Sequence, residues 1–174
     1  MQETTAGGLI LFDFDGDGDI DVLFVDGGYL PGYEGEAART RLLRNEGDGH
    51  FTDFTEQSAV AIDAYGFGGT AGDIDGDGDP DLYLTAYGPN LMFRNNGDGT
   101  FSDVSETANA AGNQYSASAA FSDTDRDGDL DLYVVNYLDY PIEDPKVCRD
   151  HTKDIVAFCH PTLFPGEHDR FYRN

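Results

Sequence analysis

Asp13-Phe-Asp-Gly-Asp-Gly-Asp-Ile-Asp21 opens a pattern that returns twice, as Asp73-Ile-Asp-Gly-Asp-Gly-Asp-Pro-Asp81 and Asp123-Thr-Asp-Arg-Asp-Gly-Asp-Leu-Asp131. Carboxylates stand at loop positions 1, 3, 5, 7 and 9, with glycine at position 6. The first loop offers Asp13, Asp15, Asp17, Asp19 and Asp21 around Gly18. The second offers Asp73, Asp75, Asp77, Asp79 and Asp81 around Gly78, and the third Asp123, Asp125, Asp127, Asp129 and Asp131 around Gly128. Five carboxylates in nine residues repel one another, so a folded chain keeps them together when a cation offsets the charge. The donors are all hard oxygens. That set suits calcium, which takes six to eight oxygens at about 2.3–2.6 Å, better than magnesium, which keeps its waters and demands a small octahedron. About three Ca2+ ions per chain are expected, one for each loop.

An EF-hand loop begins the same way but ends on a bidentate Glu at position 12, between two helices. Position 12 here is Phe24, Leu84 or Val134. The loops run instead into Val22-Leu-Phe-Val25, Leu82-Tyr-Leu-Thr85 and Leu132-Tyr-Val-Val135, which are β-branched and aromatic in the manner of strands. Each loop is therefore expected to join two strands. Position 9 then supplies the fourth side-chain ligand and position 7 its backbone carbonyl.

A second phrase repeats beside the loops: Arg44-Asn-Glu-Gly-Asp-Gly-His-Phe-Thr-Asp-Phe-Thr-Glu56 and Arg94-Asn-Asn-Gly-Asp-Gly-Thr-Phe-Ser-Asp-Val-Ser-Glu106, with a third copy beginning at Phe171-Tyr-Arg-Asn174. Arg44 to Asp73 and Arg94 to Asp123 each span 29 residues, whereas Asp13 to Arg44, Asp73 to Arg94 and Asp123 to Arg173 span 31, 21 and 50. Insertions thus collect at one point of the unit. Each unit reads as four short strands: a small, glycine-rich one such as Phe67-Gly-Gly-Thr-Ala-Gly72, the apolar one after the loop, one ending in Arg-Asn, and one after an Asp-Gly turn. No helical periodicity separates the units, so a parallel βαβ fold is excluded. Repeats of about 50 residues built from four strands specify propeller blades. The expected fold is all-β, a partial β-propeller of about three four-stranded blades. Blade 1 covers about 7–58 and blade 2 about 66–108, while blade 3, about 115–174, is incomplete and carries a long insertion at about 138–170.

The Asp loops, the Phe67-Gly-Gly-Thr-Ala71 stretch and the Arg-Asn-x-Gly-Asp-Gly-x-Phe phrase resemble the FG-GAP, or VCBS-type, repeat of integrin-like β-propellers. The closing stretch from Cys159 to Asn174 is similar to that of the cartilage acidic protein family and its bacterial relatives. The resemblance implies calcium on the hairpin between the first two strands of a blade, and a secreted or surface-exposed protein. Arg126 departs from the pattern, replacing the glycine at position 4 of the third loop. Its side chain is expected to face solvent and its charge to weaken that site.

The net charge is −24, and 34 residues are acidic against ten basic ones. So acidic a surface disfavours nucleic acid and anionic membrane, both polyanions. Disorder is the bland reading of such a composition, but 13% aromatic residues and 22 glycines at repeated places argue for a folded chain. No apolar run reaches the roughly 20 residues that span a bilayer. The residues from Met1 to Gly8 lack the basic and apolar regions of a signal peptide. Further blades are expected from a longer chain, since closed propellers use about four to eight.

The insertion holds Cys148 and Cys159, with ten residues between them. A disulfide would staple this loop and suit an extracellular or periplasmic setting. A soft-metal site using Cys148, His151, Cys159 and His160 and a pair of free thiols are the alternatives, although the spacing is unlike known zinc motifs. Asp48 and Asp98 are explained by turn chemistry rather than as ligands. Tyr83, Tyr87, Tyr133 and Tyr137 suit packing between blades, or stacking on sugars, and His50 is an exposed histidine at a strand start. No nucleophile elbow, P-loop or H-E-x-x-H motif is present, and the aspartates are better explained as ligands than as a glycosidase pair. The chain is read as a non-catalytic, calcium-binding extracellular scaffold for binding or adhesion, with an unknown protein or glycan as partner. A lectin-like or lyase-type carbohydrate module is the alternative, and an intracellular acidic protein with unfilled loops a third.

Overall fold

A computed structural model describes residues 7–27, 39–60, 62, 64–141, 146–150, 152, 155–157 and 159–174. The first sheet runs β1 (Leu9–Phe12), β2 (Asp21–Phe24), β3 (Arg41–Asn45) and β4 (Phe51–Asp53), in that spatial order and antiparallel throughout. A single turn of helix, α1 (Thr55–Ser58), follows; the sequence pattern did not announce it. The second sheet repeats the arrangement with β5 (Tyr65–Gly72), β6 (Asp81–Tyr87), β7 (Leu91–Asn95) and β8 (Phe101–Asp103). The third has β9 (Ser116–Ser122) and β10 (Asp131–Asn136), then an excursion holding the hairpin β11 (Cys148–Asp150) and β12 (Ile155–Ala157), and finally β13 (Arg170–Tyr172) beside β10. The chain is therefore all-β, built from sheets that are consecutive in sequence, as in a partial propeller, and among the described residues no barrel closes.

The sheets stack face on face, and two apolar cores fill the joints. Ile10, Phe12, Leu23 and Leu42 of the first sheet meet Leu82, Leu84, Phe93 and Phe101 of the second. On its other face the second sheet sends Tyr83 and Met92 against Leu132 and Val134 of the third. Strand alternation makes this possible, because successive residues of β2, β6 and β10 point to opposite joints. The first strands β1, β5 and β9 lie side by side where the sheets converge. Small residues are required there: a Cβ on Gly8 would stand 2.5 Å from the Cα of Gly68.

One hydrogen bond recurs at the far end of the three sheets that carry the Asp loops. The amide of Asp26 donates to Thr40 Oγ1 (3.4 Å), that of Ala86 to Asn90 Oδ1 (2.9 Å), and that of Asn136 to Asp169 Oδ1 (2.9 Å). Each pair closes the base of the connection between second and third strands. The variable insertions lie beyond this pinch.

Candidate metal centre

The Asp loops connect first to second strands, β1 to β2, β5 to β6 and β9 to β10, all at one end of the stack. Within each loop the position 1 carboxylate is fixed by backbone amides. Asp13 Oδ1 accepts from the Gly16 amide and Oδ2 from the Gly18 amide, both at 2.9 Å. Asp73 holds Gly76 and Gly78 at 2.8 and 3.0 Å, and Asp123 holds Arg126 and Gly128 at 2.6 and 3.2 Å. Wrapping the chain this tightly needs left-handed backbone at position 4, where Gly16, Gly76 and Arg126 have φ of 73°, 75° and 66°. Arg126 thus keeps the loop conformation at a steric cost that glycine avoids.

The wrapping brings carboxylates together. Asp13, Asp15 and Asp17 offer oxygens within 4.8 Å of one another, as do Asp73, Asp75 and Asp81, and Asp123, Asp125 and Asp127. Positions 1, 3 and 5 thus converge in the first and third loops, and positions 1, 3 and 9 in the second. An all-carboxylate cluster of this span fits a hard divalent cation. Burial raises the Asp15 carboxyl above the ordinary range, with the neighbouring Asp17 charge adding to it.

Position 9 has a further task in all three loops. Asp21 is buried, accepting the Phe14 amide on Oδ2 (3.0 Å) and the Asn45 amide on Oδ1 (2.8 Å). Asp81 does the same with Ile74 (3.0 Å) and Asn95 (2.8 Å), and Asp131 with Thr124 (3.3 Å) and Asn174 (3.2 Å). Burial pushes the carboxyls of Asp21 and Asp81 up, against the pull of those amides. Asp131 is held below the usual range, chiefly because the Thr124 hydroxyl donates to it. Position 7 turns elsewhere: the Asp19 and Asp79 carboxylates lie so near the backbone of the next turn that a Cβ on Gly47 or Gly97 would come within 2.6 or 2.7 Å.

Two kinds of residue that matter here were not singled out from the sequence. The first is the asparagine of the Arg-Asn phrase. Asn95 Nδ2 donates to Pro80 O of its own loop (3.3 Å) and to Phe14 O of the preceding blade's loop (2.8 Å); Asn174 Nδ2 likewise reaches Ile74 O at 2.8 Å. These side chains stitch adjacent blades together at the loops. Their signal was present, since asparagine holds this place in every copy of the phrase. The second is Arg173, whose guanidinium pairs with Asp125 and lies 3.9 Å from Asp127. The cation beside the third cluster is thus Arg173, whereas the Arg126 side chain is exposed as expected.

The FG-GAP-like repeat model matches residues 13–84 and again 73–134, well over half of the chain. The chain belongs to the FG-GAP-like repeat family. Such repeats build β-propeller modules of the binding and adhesion type that are typically non-catalytic. No curated protein matches the chain. The matched residues stop at 134, and the finer resemblance of Cys159–Asn174 to the cartilage acidic protein family finds no support in these comparisons.

The insertion in the third unit is covalently closed. Cys148 and Cys159 form a disulfide across the β11–β12 hairpin, with Cα atoms 5.2 Å apart, so the soft-metal and free-thiol readings fall away. His160 instead caps a short 3-10 turn, its Nδ1 2.8 Å from Thr162 Oγ1; His151 lies outside the described residues. FG-GAP repeats together with a disulfide are typical of extracellular proteins. Among the described residues no helix is long and apolar enough to cross a membrane. In the turns, Asp48 and Asp98 accept from the His50 and Thr100 amides at 2.9 and 3.0 Å. The tyrosines divide: Tyr83 is buried in the joint with its hydroxyl donating to Ala110 O (2.7 Å), while Tyr133 and Tyr137 are exposed.

Proposed function

We propose that the chain is a calcium-stabilised propeller segment acting as a non-catalytic extracellular scaffold for binding or adhesion. The observation that carries this reading is the threefold recurrence of amide-wrapped carboxylate clusters at the same hairpin of each blade. Asp13, Asp15 and Asp17, then Asp73, Asp75 and Asp81, then Asp123, Asp125 and Asp127 would hold one cation each, with positions 7 and 9 completing the shell through carbonyl and carboxylate. The cation supplies charge compensation alone, offsetting repulsion that otherwise opposes closure of each loop. Extracellular modules bind calcium at about 10⁻⁴–10⁻³ M, a range filled outside the cell and not in the cytosol. The test is thermal melting in about 2 mM calcium and in excess chelator, beside a calorimetric count of bound ions. The expected outcome is a large calcium-dependent rise in Tm and about three ions per chain, falling to two when Asp73 and Asp75 are both replaced by Ala. An unchanged Tm with no heat of binding would end this reading.

A second reading, carbohydrate recognition, is favoured by a cavity of about 260 Å³ at the opposite end from the loops. Tyr87 and Tyr115 line it with Asn113, Gln114, Asp139 and Glu167, the mixture of ring faces and hydrogen-bonding groups that suits one sugar ring. Glycan-array binding that disappears in Glu167→Gln supports it. No binding, or binding indifferent to that change, removes it.

A further inference from the structure

The cavity at the end away from the Asp loops has walls from two sources. One is the seam between the second and third blades, where Tyr87 and Tyr115 pair as an isolated antiparallel bridge and the Gly88 amide donates to Gln114 O at 3.2 Å. The other is the stem of the insertion. There Leu138 bridges to Gly166, the Asp139 amide donates to Pro165 O (3.0 Å) and the Glu167 amide to Tyr137 O (3.4 Å). The Tyr87 hydroxyl donates to Tyr140 O and joins the two walls. The cavity therefore exists because the insertion, on leaving the third blade, is tied back to the second.

Its rings are fixed by one another. Tyr115 stacks on Phe67 with centroids 4.7 Å apart and meets Tyr87 and Tyr137 edge-on at 5.2 and 5.5 Å. Tyr140 packs on Phe164 at 4.8 Å. Such preorganisation lowers the ordering cost of binding. What the walls offer a ligand is one-sided in charge. The amides of Gly88, Asp139 and Glu167 and the Tyr87 hydroxyl already donate within the protein. Asp139 and Glu167 line the cavity, and neither side chain has an ion-pair or hydrogen-bond partner among the described residues. No described lysine, arginine or histidine lines it; Lys146 of the insertion stands outside the lining, with Nζ 5.9 Å from the centre of the Phe164 ring. Carboxylates and tyrosine rings both attract a positive charge, the rings through their quadrupole. The net charge of −24 draws cations toward the whole surface in the same sense.

We propose that the cavity selects an amino sugar in its protonated form, with the ammonium held by Asp139 and Glu167 and the sugar ring against Tyr87 and Tyr115. The proposal deepens the carbohydrate reading of this cavity and rests on it. A neutral sugar would cover the two carboxylates without compensating their charge, and an acidic sugar would meet repulsion. N-acetylation removes the positive charge from the same ring, and with it the preference.

Ligand-observed NMR titrations of the whole chain in calcium test this, with glucosamine, N-acetylglucosamine, glucose and Nα-acetyl-lysine as probes. Glucosamine is expected to bind about tenfold or more tightly than the two neutral sugars, because hydrogen bonds between charged groups exceed neutral ones by that order. Asp139→Asn and Glu167→Gln keep the side-chain size, and an unchanged Tm checks that each variant is folded. Each is expected to bring the affinity for glucosamine down toward that of the neutral sugars. Glucosamine bound no better than glucose overturns the amino-sugar proposal and leaves carbohydrate recognition standing. A preference that survives both variants places the ammonium elsewhere and also overturns it. Nα-acetyl-lysine bound as tightly as glucosamine shows that an ammonium suffices without a sugar ring, against the proposal. No binding of any sugar removes this proposal and the carbohydrate reading together.

Discussion

Asn95 does more than its place beside a hairpin turn suggests. Its backbone amide donates to Asp81, its side-chain oxygen accepts the Gly97 amide at 3.1 Å, and its side-chain nitrogen reaches two loops in two blades. Truncation to alanine leaves a buried carbonyl at Phe14 and the Gly97 amide without this partner, and the desolvation cost of such groups is about 1–3 kcal/mol. Asn45 has the same local bonds, and among the described residues its side chain reaches no second loop. Urea denaturation is therefore expected to show Asn95→Ala destabilising by about 1–3 kcal/mol and Asn45→Ala by clearly less. Equal losses would mean that the asparagine serves only its own turn, and that the contact across the joint contributes nothing.

At the scale of elements, the sequence was legible wherever spacing carries the information. The turn from first to second strand follows from position 12 of the loops: an apolar residue there rules out the EF-hand and leaves a hairpin, and β2, β6 and β10 all start on the position 9 aspartate. The third strand was legible from its Arg-Asn ending. The constancy of these elements despite insertions has a physical cause that spacing could not disclose. Thr40, Asn90 and Asp169 each stand four residues before the arginine of the phrase and close the sheet onto the same register position. Three different side chains perform one task, so no residue identity repeats for the eye to find. The helical turn α1 escaped because four residues are too few to show a period. Within the Asp loops the repeated carboxylate positions were legible but not their division of labour. That Asp21 and Asp81 are buried against backbone amides, and Asp19 and Asp79 turned onto a neighbouring glycine, depends on the second phrase folding beside the first. Only the three-dimensional arrangement sets those two repeats in contact.

At the scale of the whole molecule, stability is a contest between packed joints and a heavily negative surface, and pH separates the contributions. In the metal-free chain Asp15, Asp21 and Asp81 have carboxyls raised by burial. A raised carboxyl favours the folded state below its unfolded value of about 4, and that contribution is lost as pH rises through the higher folded value. Asp53, Asp98 and Asp169 run the other way. Hydrogen bonds from Thr55, Thr100 and the Asn136 amide depress them, so their contribution is present above about 4 and lost as pH falls further. The two sets act in different windows, so in chelator Tm should rise as pH falls from 7 toward about 4, where only the raised carboxyls take up protons, and fall once pH drops below that. Calcium bound as proposed would alter the balance, because it takes the deprotonated clusters and competes with protons there. The rise in Tm produced by calcium should therefore be largest near neutrality and shrink toward zero as pH approaches about 4. The decline should begin above the ordinary aspartate range, since the raised carboxyls take up protons first. Parallel melts across this range in calcium and in chelator make the comparison. A calcium increment independent of pH would show that the cation binds somewhere other than these carboxylates.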